Sequence, residues 1–165
     1  MASKVRVVDN GYDRLMQTVQ RMQQASITVG VHANEGQKTH AISRPAKTAK
    51  QAGPVSLIDV ALWNEFGVGV PERPFLRGWF DATTAKNQET MMVLAQSALK
   101  GARTVDQALE LAGARFVGEL QQRIARGEGV APNSPITIAL KGSSVPLVDT
   151  GQLRAGLTFT VRIGS

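Results

Sequence analysis

Leu157-Thr158-Phe159-Thr160-Val161-Arg162-Ile163 alternates apolar and polar residues without a break, and the fold is read outward from this stretch. Branched and aromatic residues at period two predict a strand with Leu157, Phe159, Val161 and Ile163 facing inward. Ser26-Ile27-Thr28-Val29-Gly30-Val31-His32 follows the same rule near the other end of the chain, with Ile27, Val29 and Val31 toward the core and His32 at the strand's end. A shorter run, Val5-Arg6-Val7-Val8, is strand-like as well, and Asp9 or Asn10 after it can cap a helix whose Tyr12, Leu15, Val19 and Met22 share one face. Strands near both termini flanking a helical middle imply an α+β fold. It has a small, mostly antiparallel sheet packed by several helices, two of them long and central, in one domain over 1–165.

The helical middle is punctuated by caps and breakers. Ser56 with Asp59 makes a capping-box-like start, after which Leu57, Ile58, Ala61, Leu62 and Phe66 recur at helical spacing up to Gly67. Pro74 suits the first turn of the next helix, from which Phe75, Trp79 and Phe80 enter the core. Helical character continues from Thr84 to Lys100 with a stripe of Met91, Ala95, Ala98 and Leu99, and Gly101 closes it. Thr104 caps the clearest amphipathic pattern in the chain: Val105, Leu109, Ala112, Phe116, Leu120 and Ile124. Gly113 and Gly118 interrupt that helix at about 1 kcal/mol each, which implies close approach by another backbone. Asp149 can cap a last short helix with Gln152 in the reciprocal position. Between the second strand and Ser56 the periodicity vanishes. Residues 33–54 read as a long loop in which Lys38, Arg44, Lys47 and Lys50 outnumber the single acid Glu35, a candidate contact for a partner or for DNA.

Composition narrows the chemistry. The absence of cysteine excludes disulfides, thiolate metal sites and cysteine nucleophiles, and two histidines, His32 and His40, leave little material for zinc or for a histidine-dependent triad. No cofactor or metal site is indicated. No run approaches the roughly 18 apolar residues of a membrane span, and the N-terminal residues lack a signal peptide's apolar stretch, so no membrane association is expected. A net charge of +6 and a pI near 10.2 favour contact with polyanions. Gly67-Val68-Gly69 and Lys141-Gly142-Ser143-Ser144 lack the spacing of phosphate-binding loops.

Asp149-Thr150-Gly151 after Pro146-Leu147-Val148 matches the active-site turn of aspartic proteases, in which two such aspartates share a proton. That domain is almost wholly β and needs several strands after the turn, whereas fourteen residues follow Gly151 here. The structural alternative is a helix start at Asp149 or Thr150 with Gly151 in a tight turn. Glu65 and Arg73 lie in the turn-rich stretch between two helices, where an ion pair or bonds to open backbone groups would fix the turn. Pairing of Arg73 or Arg77 across a subunit boundary is the functional variant. The intramolecular role ranks first, because exposed pairs contribute little while an arginine holding a loop contributes geometry.

Three clusters occur in order: Ala61-Leu62-Trp63-Asn64-Glu65-Phe66-Gly67, Pro71-Glu72-Arg73-Pro74-Phe75-Leu76-Arg77 and Val148-Asp149-Thr150-Gly151-Gln152-Leu153-Arg154. From about Ser26 to Val161 the chain thereby resembles the tail-completion or virion-morphogenesis (neck) proteins of long-tailed bacteriophages. The resemblance implies a non-enzymatic structural protein of the virion neck, made in the host cytoplasm. It implies a homo-oligomeric ring, commonly of six subunits, between the head connector or stopper and the tail tube or terminator, with DNA passing through the lumen. Asn64, Glu65, Phe66, Gly67, Arg73, Pro74, Phe75, Arg77, Asp149, Thr150, Gly151 and Arg154 are then its assembly motif. A basic nucleic-acid-binding accessory protein is the alternative that the charge suggests, and the protease is the third.

Overall fold

A computed structural model of the chain describes residues 11–32, 55–135, 138, 139, 147 and 151–164. In order, the elements are helix α1 (Tyr12–Gln23), strand β1 (Ala25–Val31), helices α2 (Leu57–Phe66), α3 (Phe75–Leu99) and α4 (Val105–Arg126), a single turn α5 (Gln152–Ala155) and strand β2 (Leu157–Ile163). β1 and β2 pair antiparallel, from Ala25 opposite Ile163 to Val31 opposite Leu157. The fold is α+β, with one strand from near each end of the chain. Val5–Val8 and the basic residues Lys38, Arg44, Lys47 and Lys50 lie outside the described residues, as do His40, Asp149 and Thr150.

Helix α4 organises the core. Its start is a reciprocal cap in which Thr104 Oγ1 accepts from the Gln107 N–H at 3.1 Å and Gln107 Oε1 accepts from the Thr104 N–H at 3.0 Å. All six apolar positions of the expected stripe are buried, and Ala112 and Leu120 are wholly so. The sheet and α3 both pack on α4. Trp79 of α3 leans on Phe116 of α4 with ring centroids 6.0 Å apart, a tilted aromatic contact. On the solvent side Glu119 accepts from Lys86 of α3 at 3.0 Å and from Arg115 at 3.1 Å. Partial burial pushes its carboxyl up, and the two cationic donors outweigh that and hold it below the usual range.

Several expectations are corrected. The N-cap of α1 is Gly11 rather than Asp9 or Asn10; with no side-chain cap bond and no buried residue, this helix lies at the edge, with Tyr12 and Leu15 exposed. The expected helix from Thr84 is the second half of one 25-residue helix, α3, and Phe80 points to solvent rather than into the core. The N-cap of α5 is Gly151, in the left-handed region at φ 73°, where its missing Cβ removes the strain.

Gly113 is explained by a side chain rather than by another backbone. A Cβ there would collide with the ring of Phe159, so the glycine lets β2 seat its aromatic directly on α4. At Gly118 a Cβ would meet no neighbouring atom within contact distance, so the packing argument fails for it. Gly113→Ala is therefore expected to destabilise the chain by about 1–3 kcal/mol through overpacking, and Gly118→Ala to stabilise it by up to about 1 kcal/mol through helix propensity. Urea unfolding of the two variants checks this, and equal midpoints would remove the role given to Phe159.

Candidate functional site

Helix α2 ends where α3 begins, and the corner between them is built from the first two sequence clusters. Ser56 starts α2 by accepting the Asp59 N–H, and Gly67 ends it in the left-handed region at φ 72°. A side chain at Gly67 would meet Glu72. The inward face of α2 is Leu57, Ala61 and Glu65, so the expected stripe through Leu62 and Phe66 is rotated outward by a residue. A carboxylate occupies the core position that the pattern assigns to an apolar side chain.

The reason lies in the next helix. α3 starts after Pro74, which has no side chain able to cap it, so the first N–H groups need acceptors from elsewhere. Glu65, only 4% exposed, supplies them: Oε2 accepts from the Leu76 N–H and Oε1 from the Arg77 N–H, both at 3.0 Å. Its negative charge also sits at the positive end of the helix dipole. Arg77 closes the arrangement by donating through Nε to Glu65 Oε1 at 3.1 Å, and through Nη2 to the Glu65 carbonyl at 2.6 Å and to Glu72 at 2.8 Å. Bonds from Glu65 and Glu72 raise the Arg77 pKa. The guanidinium stacks 4.9 Å from the centre of the Phe66 ring.

Arg73 is the second lock. It does not pair with Glu65. Its Nε donates to the Ala131 carbonyl at 3.1 Å, Nη2 to Asn133 Oδ1 at 3.2 Å and Nη1 to Asn64 Oδ1 at 3.4 Å, while its own N–H donates to the Asn64 carbonyl at 2.7 Å. Burial lowers its pKa from the ordinary arginine value, yet it stays charged and is neutralised by oriented carbonyl oxygens. Arg73 and Asn133, each 7% exposed, thus fasten the corner to the segment after α4. Glu65 and Arg73 hold different partners within the corner rather than each other.

The structure therefore gathers Asn64, Glu65, Phe66, Gly67, Arg73, Pro74, Phe75 and Arg77 into one corner. Phe75 is buried beneath it, and Phe66 is 58% exposed on its surface. The third cluster stands apart. α5 packs against α2, and a Cβ at Gly156 would strike Leu57 at the start of α2, whereas the corner is at its end. There Leu153 enters the core, the Arg154 side chain is exposed, and the Arg154 carbonyl accepts from Gln121 at 3.1 Å.

Two features escape a reading of the sequence. Leu62, Trp63, Phe66 and Val68 form an uncovered apolar run around the end of α2, which the phase shift caused by Glu65 would have revealed. Arg14, Arg21 and Arg103 converge on a cleft at the start of α4, where Arg21 pairs with Asp106 at 2.7 Å; residues so distant in sequence give no local signal. Among the described residues there is no cluster of three metal-ligating side chains and no helix long and apolar enough to cross a membrane. Comparisons with family models, with curated proteins and with solved structures find no match for this chain.

Removing the Glu65 carboxylate leaves the Leu76 and Arg77 N–H groups and the Arg77 Nε without their acceptor. Glu65→Ala is expected to cost about 3 kcal/mol, and Glu65→Gln, which keeps one acceptor, about half of that. Denaturant titration measures both, and an alanine variant with an unchanged midpoint would end the capping account.

Proposed function

We propose that this chain is a structural subunit of a bacteriophage neck, forming a ring that joins the head connector to the tail and completes the tail. The observation that carries the reading is the uncovered apolar run Leu62, Trp63, Phe66 and Val68, held on a corner immobilised by Glu65, Arg73 and Arg77. A rigid surface of this kind suits protein contact, because little side-chain freedom is lost when it is covered. Leu62, Trp63 and Phe66 belong to a segment on which the resemblance to neck proteins rests, so the corner has one architectural task and one docking task. A closed ring needs unlike faces that meet repeatedly around an axis. The exposed Arg154 side chain, on a separate part of the surface, suits a second such face.

A nucleic-acid-binding accessory role is the second reading, favoured by the net charge of +6 and by the cleft of Arg14, Arg21 and Arg103. The two readings separate by stoichiometry and salt. A ring subunit is expected at the head–tail junction of purified particles in a fixed, small copy number. A nucleic-acid accessory protein would be missing from particles and would bind duplex DNA with an affinity that falls steeply between low and moderate salt. Phe66→Ser with Val68→Ser should leave stability within about 1 kcal/mol of the parent chain and abolish incorporation into particles. Mass-based quantification and imaging of particles made with and without these changes decides the matter; normal incorporation of the double variant would overturn the docking role of the corner.

A further inference from the structure

A groove of about 720 Å³ runs between β1 and α3, with Ala25, Ile27 and Val29 on one wall and Leu76, Trp79, Phe80 and Met91 on the other. Its β1 wall is a strand edge. The Gly164 N–H donates to the Gln24 carbonyl at 3.0 Å, one step beyond the Ala25–Ile163 pair. Antiparallel partners alternate between bonded and non-bonded pairs, so Gln24, Ser26, Thr28 and Gly30 turn their backbone groups toward β2. Ala25, Ile27 and Val29 turn theirs outward along the groove, and no bond to another described residue engages them.

Two further polar atoms belong to residues lining this groove. The indole Nε1 of Trp79, a residue only 5% exposed, and Oδ1 of Asn87 are both buried without a hydrogen-bond partner. Asn87 is oriented by its own amide, which donates to Thr83 Oγ1 at 2.9 Å and leaves Oδ1 unpaired. Buried polar atoms of this kind are expensive to leave unpaired. An outward-facing strand edge beside an apolar floor matches an extended polypeptide, which offers carbonyls and N–H groups in alternation.

Val5-Arg6-Val7-Val8 has the pattern such an occupant needs, with Val5 and Val7 on one side to face α3 and Arg6 on the other, beside the polar Ser26 and Thr28. In its own chain, helix α1 leads away from the groove. α1 leaves from Ala25 with Met22 near Met91, and by Arg14 it lies against Gly101 at the far end of α3. Twelve residues of helix cover about 18 Å, and Asp9 to Gly11 return at most about 10 Å. We propose that the groove captures the Val5–Val8 strand of a second copy of this chain, adding it to the edge of β1 that no described residue pairs. This deepens the ring reading and rests on it for its purpose, although strand capture is measurable by itself.

The test uses full-length chains. Val5→Asp with Val7→Asp should shift a concentration-dependent oligomer to monomer with unchanged circular dichroism. A synthetic peptide of residues 1–10 should then bind that variant one to one, changing Trp79 emission in a Trp63→Phe background. Ile27→Pro deletes an outward N–H without touching the β1–β2 bonds, and it should weaken the peptide at least tenfold. No peptide binding, or equal binding by the Ile27→Pro chain, overturns the proposal. If the Val5/Val7 variant still forms the parent oligomer, strand capture is wrong while the ring stands. If the peptide binds and particles nevertheless lack the protein, strand capture stands and the neck reading falls.

Discussion

A helix that opens on proline cannot cap itself, and in this chain the longest helix, α3, does so. Glu65, from the helix before it, accepts the free N–H groups of Leu76 and Arg77 and thereby fixes how α2 and α3 meet. Much else depends on that angle. It sets Phe75 into the core, aims Trp79 at Phe116, and turns the far side of α2 to solvent. The charge is tolerated at 4% exposure because Arg77 and two backbone donors surround it; a buried carboxylate with fewer partners would be severely destabilising.

Around this corner the remaining architecture is simple. α4 is the shared wall, against which a two-stranded sheet and α3 both pack. Gly113 allows the sheet to come close enough for Phe159 to lie on the helix. The sheet covers α4 but does not extend over the first half of α3, and the groove beside β1 is the space that results.

The corner and the groove are incompletely covered in two different ways. At the corner, apolar side chains stand on a rigid support; along β1, the backbone groups of Ala25, Ile27 and Val29 turn away from β2. The first suits contact between preformed faces and the second suits exchange of a strand. Under the neck-ring proposal, both would serve contacts between copies of this chain.

The elements whose signals are local can be read from the chain alone: the alternation of Leu157–Ile163, the reciprocal cap at Thr104 and Gln107, the left-handed stop at Gly67, and the complete buried stripe of α4. Glu65 and Arg73 are legible in the same way as residues that fasten a turn. Their partners are settled only by the assembled fold, because Arg73 binds Ala131 and Asn133, which no spacing rule connects to it. The outward rotation of Phe66 is settled there as well, since a hydrophobicity pattern assigns core positions by apolar character and cannot foresee that one belongs to a carboxylate capping a neighbouring helix. Local sequence encodes which segments become helix or strand through hydrogen bonds and side-chain freedom within a few residues; which faces stay uncovered depends on contacts that exist only once the segments have met.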